Sequence, residues 1–239
     1  MKQNYELLNW DSNLFEFKVA KIIDNKLNVG ELEKTLKELK KVKIRLVYWA
    51  TDNKDKNLSR SLKIFNAFLT GQRIIYVKKI ASPEISSKTQ ASFKIGGYNK
   101  KRPENELIDL IIDGAKYSRF YVDPKITKKQ YEDLHKIWIT NSVKENKIFV
   151  IKENKKIIGF VSLNEKNNRG NIDFIVVNKR YRGKGLATAL LNKAHDWFLI
   201  NNYNQVQAVT QKENIASCKM YEKLGYKLEK TEEFYHFWI

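Results

Sequence analysis

The sequence has one cysteine, Cys218, and three histidines, His135, His195 and His236, which lie far apart along its 239 residues. A single cysteine excludes an intrachain disulfide and is typical of a reducing compartment. Metal sites need several histidine, cysteine or acidic ligands at close spacing, and no such spacing occurs, so we expect no metal. Cys218 falls in a short helical segment, where packing is a commoner role than nucleophilic attack.

Long hydrophobic runs are also missing. No apolar stretch approaches the roughly 20 residues that cross a bilayer, and the start of the chain, Met1 to Glu6, lacks the apolar stretch of a secretory signal. We therefore expect a cytoplasmic protein without a membrane span. A hydrophobic content of 42% with 12% aromatic residues favours a packed core over disorder.

Acidic residues are scarce beside basic ones, with 27 Asp and Glu against 45 Lys and Arg, which gives a net charge of +18. The basic residues are spread over the whole chain, and no zinc finger, helix-turn-helix or RNA-binding aromatic signature accompanies them. We therefore expect no nucleic-acid partner. A solvated basic surface still attracts polyanionic small molecules.

A glycine-containing loop lies between a predicted strand, Ile172 to Val177, and a helical pattern that begins at Leu186. The loop reads Arg182-Gly183-Lys184-Gly185-Leu186-Ala187. Glycine lets backbone N–H groups converge, and a helix N-terminus adds unpaired donors and partial positive charge. This combination predicts a phosphate or pyrophosphate site, although a tight turn without a ligand is the simpler alternative. The spacing fits neither a Walker loop nor a dinucleotide fingerprint.

A second motif follows downstream. Val206 to Thr210 alternates as a strand, Asn214 stands at a helix start, and Tyr221, Gly225 and Tyr226 end that helix. Together, Arg-x-x-Gly-x-Ala and Asn214-Ile-Ala-Ser-Cys-Lys-Met-Tyr221-Glu-Lys-Leu-Gly225-Tyr226 resemble the GNAT superfamily of N-acetyltransferases. The resemblance covers about Tyr117 to Ile239, with both motifs in the right order.

The resemblance implies an acyl-CoA cosubstrate, acetyl-CoA or another acyl-CoA. Its pyrophosphate would bind the backbone amides of Arg182, Gly183, Lys184, Gly185, Leu186 and Ala187. The preceding strand would carry a bulge and leave its neighbour, so that pantetheine pairs with Ile175, Val176 and Val177. Asn214 would contact the cofactor arm. Tyr221 would protonate the departing thiolate as the catalytic acid, although alone it reads as a buried core aromatic.

The implied fold is an α/β (α+β) GNAT fold, a mixed and mostly antiparallel sheet flanked by helices. The order strand, helix, Gly71, strand in the first part of the chain repeats the order around Gly225. We therefore predict a partial, degenerate GNAT-like domain over 1–80 without a second cofactor site, a connecting segment over 81–114, and a catalytic domain over 115–239. We predict a loop over 81–97, a helix from Pro103 to Ile112 and a strand from Tyr117 to Val122.

A narrower resemblance concerns the acceptor. Trp10-Asp11-Ser12 with Phe15 and Phe17, Ser118-Arg119-Phe120, and Phe234 to Trp238 look like the sugar-nucleotide N-acyltransferases of the TDP-fucosamine acetyltransferase type. This implies acyl transfer to the amine of a nucleotide-linked aminodeoxy sugar for bacterial surface polysaccharide synthesis.

Two residues are predicted to bind that acceptor. Ser118 and Arg119 would hold its phosphates, with a structural ion pair as the alternative for Arg119. Trp10 and His236 read as core residues, and no general base is evident, so a water relay is one route. Acetylation of a protein, peptide or small amine, and a noncatalytic acyl-CoA-binding module, remain alternatives. A homodimer is compatible with the sequence.

Overall fold

The computed structural model describes residues 4–52, 55–81 and 93–239. Its strands are β1 (Tyr5–Leu7), β2 (Val19–Ile22), β3 (Leu46–Thr51), β4 (Phe68–Lys79), β5 (Lys94–Gly97), β6 (Lys147–Glu153), β7 (Lys156–Lys166), β8 (Arg169–Val177), β9 (Gln205–Gln211) and β10 (Lys227–Trp238). Its helices are α1 (Asn9–Phe15), α2 (Val29–Lys41), α3 (Lys56–Ile64), α4 (Asn105–Gly114), α5 (Arg119–Val122), α6 (Lys128–Glu145), α7 (Leu186–Ile200) and α8 (Ile215–Lys223). The strands form one sheet in the order β1-β2-β3-β10-β4-β9-β8-β7-β6-β5.

The same order of elements occurs twice along the chain. In the first half β1, β2, α2, β3, α3 and β4 occur in this order, with α1 inserted between β1 and β2, and in the second half β7, β8, α7, β9, α8 and β10 occur in the matching order. In each half a helix connects two parallel strands, β2 with β3 and β8 with β9, whereas the other pairings of the sheet are antiparallel. The predicted partial, degenerate GNAT-like domain over 1–80 stays a prediction.

The last strand of each half is inserted into the other half. β10 lies between β3 and β4, and β4 lies between β10 and β9. Ile74 and Tyr76 of β4 therefore pack in the core of the second half, while Tyr235 and Phe237 of β10 pack in the core of the first. The domain boundaries at 80 and 115 stay a prediction, and this exchange joins the two halves into one sheet.

Four local predictions were wrong. Tyr117 to Val122 is not a strand: Arg119 to Val122 form the single turn α5, in which β-favouring residues turn to bury Phe120 among other aromatic rings. Gly71 does not end a helix, because α3 stops at Ile64 and Gly71 lies within β4 at φ +140°. Trp10 is 41% exposed rather than core.

The fourth concerns the predicted loop over 81–97. Its end, Lys94–Gly97, is the edge strand β5, because it pairs with β6. Residues 82–92 of that loop lie outside the described residues. His236, in contrast, is fully buried, as predicted.

Candidate active site

The centre of the site is a gap between two parallel strands. β8 pairs with β9 only from Gly170 to Ile172. The pairing of β8 with β7 shifts register after Ile172, so Asp173 forms a bulge and the rest of β8 turns away from β9. Ile175, Val176 and Val177 then line the gap, and no described strand pairs with their backbone edge on that side.

The glycine loop lies at one end of this gap. Gly183 and Gly185 have φ values of +78° and +75°, and Gly185 is the N-cap of α7. A Cβ added at either glycine would meet no heavy atom within 4 Å, so both face open space. No side chain within the described ranges caps α7. The amides of Leu186 and Ala187, two residues that line the gap, are therefore placed to donate to a ligand.

The corresponding helix of the first half, α2, has an N-terminus that is capped by side chains. Asn28 caps α2 by accepting a hydrogen bond from the Glu31 amide, and the Glu31 carboxylate accepts from the Asn28 amide in return. The indole of Trp49 and the hydroxyl of Thr51 donate to the carbonyls of Asp24 and Asn25 just before it. These contacts fill the position that remains open at α7.

Two connected voids occupy the site. The first, which we call the loop cleft, has a volume of about 580 Å³ and is bordered by the glycine loop and the free edge of β8. Arg182, Gly183, Gly185, Leu186 and Ala187 line it, whereas the Lys184 ammonium lies 5.2 Å from the Tyr181 ring centroid. Lys116, Lys179 and Lys223 also line it, against the single acid Asp113, which pairs with Lys116, so the net positive charge of the lining favours an anion.

The second void, the inner cavity, has a volume of about 270 Å³. It adjoins the loop cleft, because Gly114, Tyr117, Ile175, Val176, Asn214 and Ser217 line both. At this junction a Cβ on Gly114 would lie 2.7 Å from Val176 Cγ1, so only glycine lets α4 approach β8 so closely. Asn214 Oδ1 accepts a hydrogen bond from the Ser217 amide, which leaves the Asn214 NH₂ for a ligand.

Tyr221 lines the inner cavity from α8. It is 2% exposed, and its ring contacts those of Tyr76 and Tyr226, with centroids 5.7 Å and 5.2 Å away. Burial raises the pKa of Tyr221 above its ordinary value. The hydroxyl therefore carries its proton at neutral pH, as an acid that donates to a leaving group must.

Ser118 and Arg119 line the same cavity beside α5. The Arg119 Cζ lies 4.5, 4.4 and 4.5 Å from the ring centroids of Tyr48, Phe120 and Phe234. In the part of the chain that the structure describes, Ser118 Oγ and Arg119 Nε are buried without a hydrogen-bond partner. The nearest acid contact runs through Tyr48, whose hydroxyl donates to Asp11 at 3.3 Å. Within the described residues, Arg119 is therefore held by aromatic rings rather than by a direct ion pair.

A family likeness follows from comparison with known proteins. Residues 115–226 match the model of the acetyltransferase (GNAT) family. This segment, a little under half of the chain, is thus similar to the GNAT family. The match includes the glycine loop, the diverging strands and Tyr221.

Curated relatives are partial matches. The chain is 24% identical over 164 residues to the spore coat polysaccharide biosynthesis protein SpsD of Bacillus subtilis, which covers 68% of the chain and 56% of SpsD. It is 33% identical over 81 residues to a streptothricin acetyltransferase of Escherichia coli, 34% of the chain and 47% of the relative. The chain thus spans about half the length of these relatives.

Solved structures show the fold over the whole chain. A functionally unknown conserved protein from Staphylococcus epidermidis superposes with a TM-score of 0.75 at 12% identity, covering 100% of this chain and 92% of that one. A tandem GNAT protein from the clavulanic acid biosynthesis pathway gives 0.59 at 11% identity, covering 91% and 74%. Among the described residues, no helix has the length and apolar character to cross a membrane.

Sequence reasoning missed several residues of the inner cavity. Thr70, Gly71 and Arg73 reach it from β4 of the first half, and Asp173 and His135 reach it from β8 and α6. Asp173 is the one charged residue in an otherwise apolar strand pattern, a signal that was available. The contribution of β4 had no local signal, because strand order is set by long-range pairing.

The carboxylate of Asp173 is held by two neighbours. Its Oδ2 accepts hydrogen bonds from Ser142 Oγ at 3.2 Å and from Asn146 Nδ2 at 3.0 Å. Burial nevertheless raises the pKa of Asp173 above its ordinary value. Asp173 is thus an oriented acid at the point where β8 leaves β9.

Proposed function

We propose that this chain is an acyl-CoA-dependent N-acyltransferase that acts on the amine of a nucleotide-linked aminodeoxy sugar. The observation that carries the proposal is the uncapped N-terminus of α7, which opens into a cleft that leads past a free strand edge to a second cavity. This arrangement separates a site for an anionic, extended cosubstrate from a site for an acceptor.

Acyl-CoA, probed first as acetyl-CoA, would occupy the loop cleft. The amides from Arg182 to Ala187 donate to its pyrophosphate, and the edge of Ile175 to Val177 pairs with pantetheine. A backbone amide of that edge polarises the thioester carbonyl, as an oxyanion donor does. The thioester would then lie at the junction with the inner cavity, where Asn214 lines both voids and Tyr221 lines the inner cavity.

The reaction is a direct transfer. The acceptor amine attacks the thioester carbonyl, an N–C bond forms, and the C–S bond breaks. Tyr221 gives its proton to the departing thiolate, so free CoA leaves as a thiol. The nitrogen loses one proton in the same turnover, and the balanced products are an amide and CoA.

The acceptor class rests on the polar lining of the inner cavity. Ser118 Oγ and Arg119 Nε are buried donors without partners among the described residues, and an orphaned buried donor is costly unless a ligand satisfies it. A phosphate of a sugar nucleotide supplies the acceptor oxygens. The similarity to SpsD, which is named for polysaccharide biosynthesis, supports the same class. The predicted homodimer and cytoplasmic location stay predictions.

The test is release of CoA from acetyl-CoA with a panel of amines, with products identified by mass spectrometry. The panel holds dTDP- and UDP-linked 4-amino-4,6-dideoxyhexoses, streptothricin and lysine-containing peptides. Acetylation of streptothricin or peptides alone would contradict the acceptor class. CoA binding without turnover of any amine would indicate a noncatalytic module.

Arg119→Met tests the acceptor site itself. Methionine keeps the apolar stem between the three rings but removes the charge and the donors. Losing a charge-assisted phosphate contact of roughly 1.5–3 kcal/mol should raise KM for the nucleotide sugar about tenfold to a hundredfold, with acetyl-CoA affinity unchanged. Arg45→Met is the matched control, because Arg45 also stacks on a ring, 4.9 Å from the Phe17 centroid, but lies outside both voids. If Arg119→Met lowers thermal stability as much as Arg45→Met does and leaves KM for the nucleotide sugar unchanged, the role of Arg119 is structural.

A further inference from the structure

The inner cavity has a third polar atom without a partner. Besides Ser118 Oγ and Arg119 Nε, the Nε2 atom of His135 is buried and unbonded in the described part of the chain, and His135 lines this cavity. The other two atoms carry hydrogens to donate, so they suit a phosphate. If His135 Nε2 accepts a hydrogen bond instead of donating one, it would bind a different group of the same ligand.

The hydrogen bonding of His135 settles which kind of atom Nε2 is. Nδ1 lies 2.7 Å from the carbonyl oxygen of Tyr131, one helical turn earlier in α6. A carbonyl only accepts, so Nδ1 carries the hydrogen and Nε2 of the neutral ring carries a lone pair. The cavity thus presents one unsatisfied basic nitrogen, and the ligand group that fits it is an N–H donor.

The surroundings of His135 fix the orientation of its ring and favour its neutral form. His135 is fully buried, with ring centroids of Tyr131 and Trp138 at 4.3 Å and 5.0 Å. These contacts hold the ring in one orientation. Burial lowers the pKa of His135 below its ordinary value, so the imidazole is neutral at physiological pH and able to accept a proton.

We propose that His135 is the catalytic base of this site, and that its Nε2 takes the proton that the acceptor nitrogen loses as the N–C bond forms. This rests on the proposed acyl transfer. In each turnover His135 gains one proton from the amine while Tyr221 loses one to the thiolate. Exchange with solvent returns both groups to their starting states, so no other reactant is needed.

Asp173 is the competing base in the same cavity. Its Oδ2 already accepts from Ser142 and Asn146, whereas His135 Nε2 has no competing donor among the described residues. The two assignments make different predictions, because Asp173→Asn keeps a polar side chain of the same shape and leaves His135 intact.

The experiment uses His135→Ala with acetyl-CoA and whichever panel amine the wild type acetylates. We expect kcat to fall by about 10²–10⁴-fold while KM for acetyl-CoA stays unchanged. Added imidazole should restore part of kcat by filling the vacated space with a base. Pyrazole, which has nearly the same shape but is a far weaker base, should not. His135→Gln keeps the side-chain volume but removes the base, so it tests the same loss of kcat if His135→Ala folds poorly. We expect its kcat to be as low as that of His135→Ala.

His236→Ala is the matched control. His236 is also fully buried, with Nδ1 bonded to Asp123 and Nε2 unpartnered in the described chain, but it lies outside both voids. We expect its kcat to show no response to imidazole.

Three results would overturn the assignment of His135. The first is near wild-type kcat in His135→Gln, and the second is equal rescue of His135→Ala by pyrazole and imidazole. The third is a large fall in kcat in Asp173→Asn without one in the His135 variants. A wild type that acetylates no amine would instead refute the proposed function itself.

Discussion

A valine at Gly185 should abolish tight acyl-CoA binding while leaving the fold intact. Gly185 has a φ of +75° at the N-cap of α7, and Gly225, after α8, has a φ of +79°. A Cβ at either position would meet no heavy atom within 4 Å. Valine therefore introduces the same backbone strain at both, on the order of 1–2 kcal/mol, and no clash within the protein.

The two positions differ in what they face. Gly185 lines the loop cleft and Gly225 lines neither void. A side chain at Gly185 would stand where the pyrophosphate must approach the amides of the loop. Losing one charge-assisted hydrogen bond of roughly 1.5–3 kcal/mol weakens binding about tenfold to more than a hundredfold.

Calorimetric titration with CoA and thermal unfolding measure the two effects separately. Both variants should lose similar stability, and only Gly185→Val should lose affinity. If Gly185→Val binds CoA as the wild type does, or if Gly225→Val loses as much affinity, the assignment of this loop is wrong.

Two further predictions concern Tyr221 and His236. Tyr221→Phe keeps the ring packing but removes the proton, so kcat should fall by about 10²–10⁴-fold with KM for acetyl-CoA little changed. If steady-state kinetics show that this variant keeps the wild-type kcat, another group is the acid. Burial lowers the pKa of His236 below its ordinary 6.5, so below that pH the unfolded chain binds a proton that the folded chain does not. The free energy of unfolding should therefore decrease as pH falls from 7 to 5, by up to about 1.4 kcal/mol per pH unit for this residue. When the free energy of unfolding is measured by urea titration at each pH, it should fall less steeply with decreasing pH in His236→Gln than in the wild type. An equal pH dependence in the two proteins would mean that His236 does not contribute.

The sequence identified the features that depend on neighbours in the chain. Two glycines between an apolar strand and an amphipathic helix form the loop at α7, because positive φ angles and helix start signals are local properties. Asn154 and Lys155, both at positive φ, form the turn of the hairpin that joins β6 and β7. The family resemblance that rests on these motifs is confirmed over residues 115–226.

Local propensity failed where packing opposed it. Tyr121 and Val122 favour strands, yet the segment turns as α5 because burial of Phe120 outweighs that preference. Trp10 is exposed although it looks like a core residue, since the pattern does not say which face of the short α1 is covered.

The inner cavity was decided by tertiary structure alone. Arg73 reaches it because β4 inserts between β9 and β10, and His135 reaches it because α6 packs beside the gap where β8 leaves β9. These residues lie far apart in sequence, and their meeting depends on hydrogen-bond registers between distant strands, which no local pattern encodes. The chain alone therefore predicts where a cosubstrate anion binds, while the arrangement of groups around the acceptor follows only from the exchanged strands of the folded sheet.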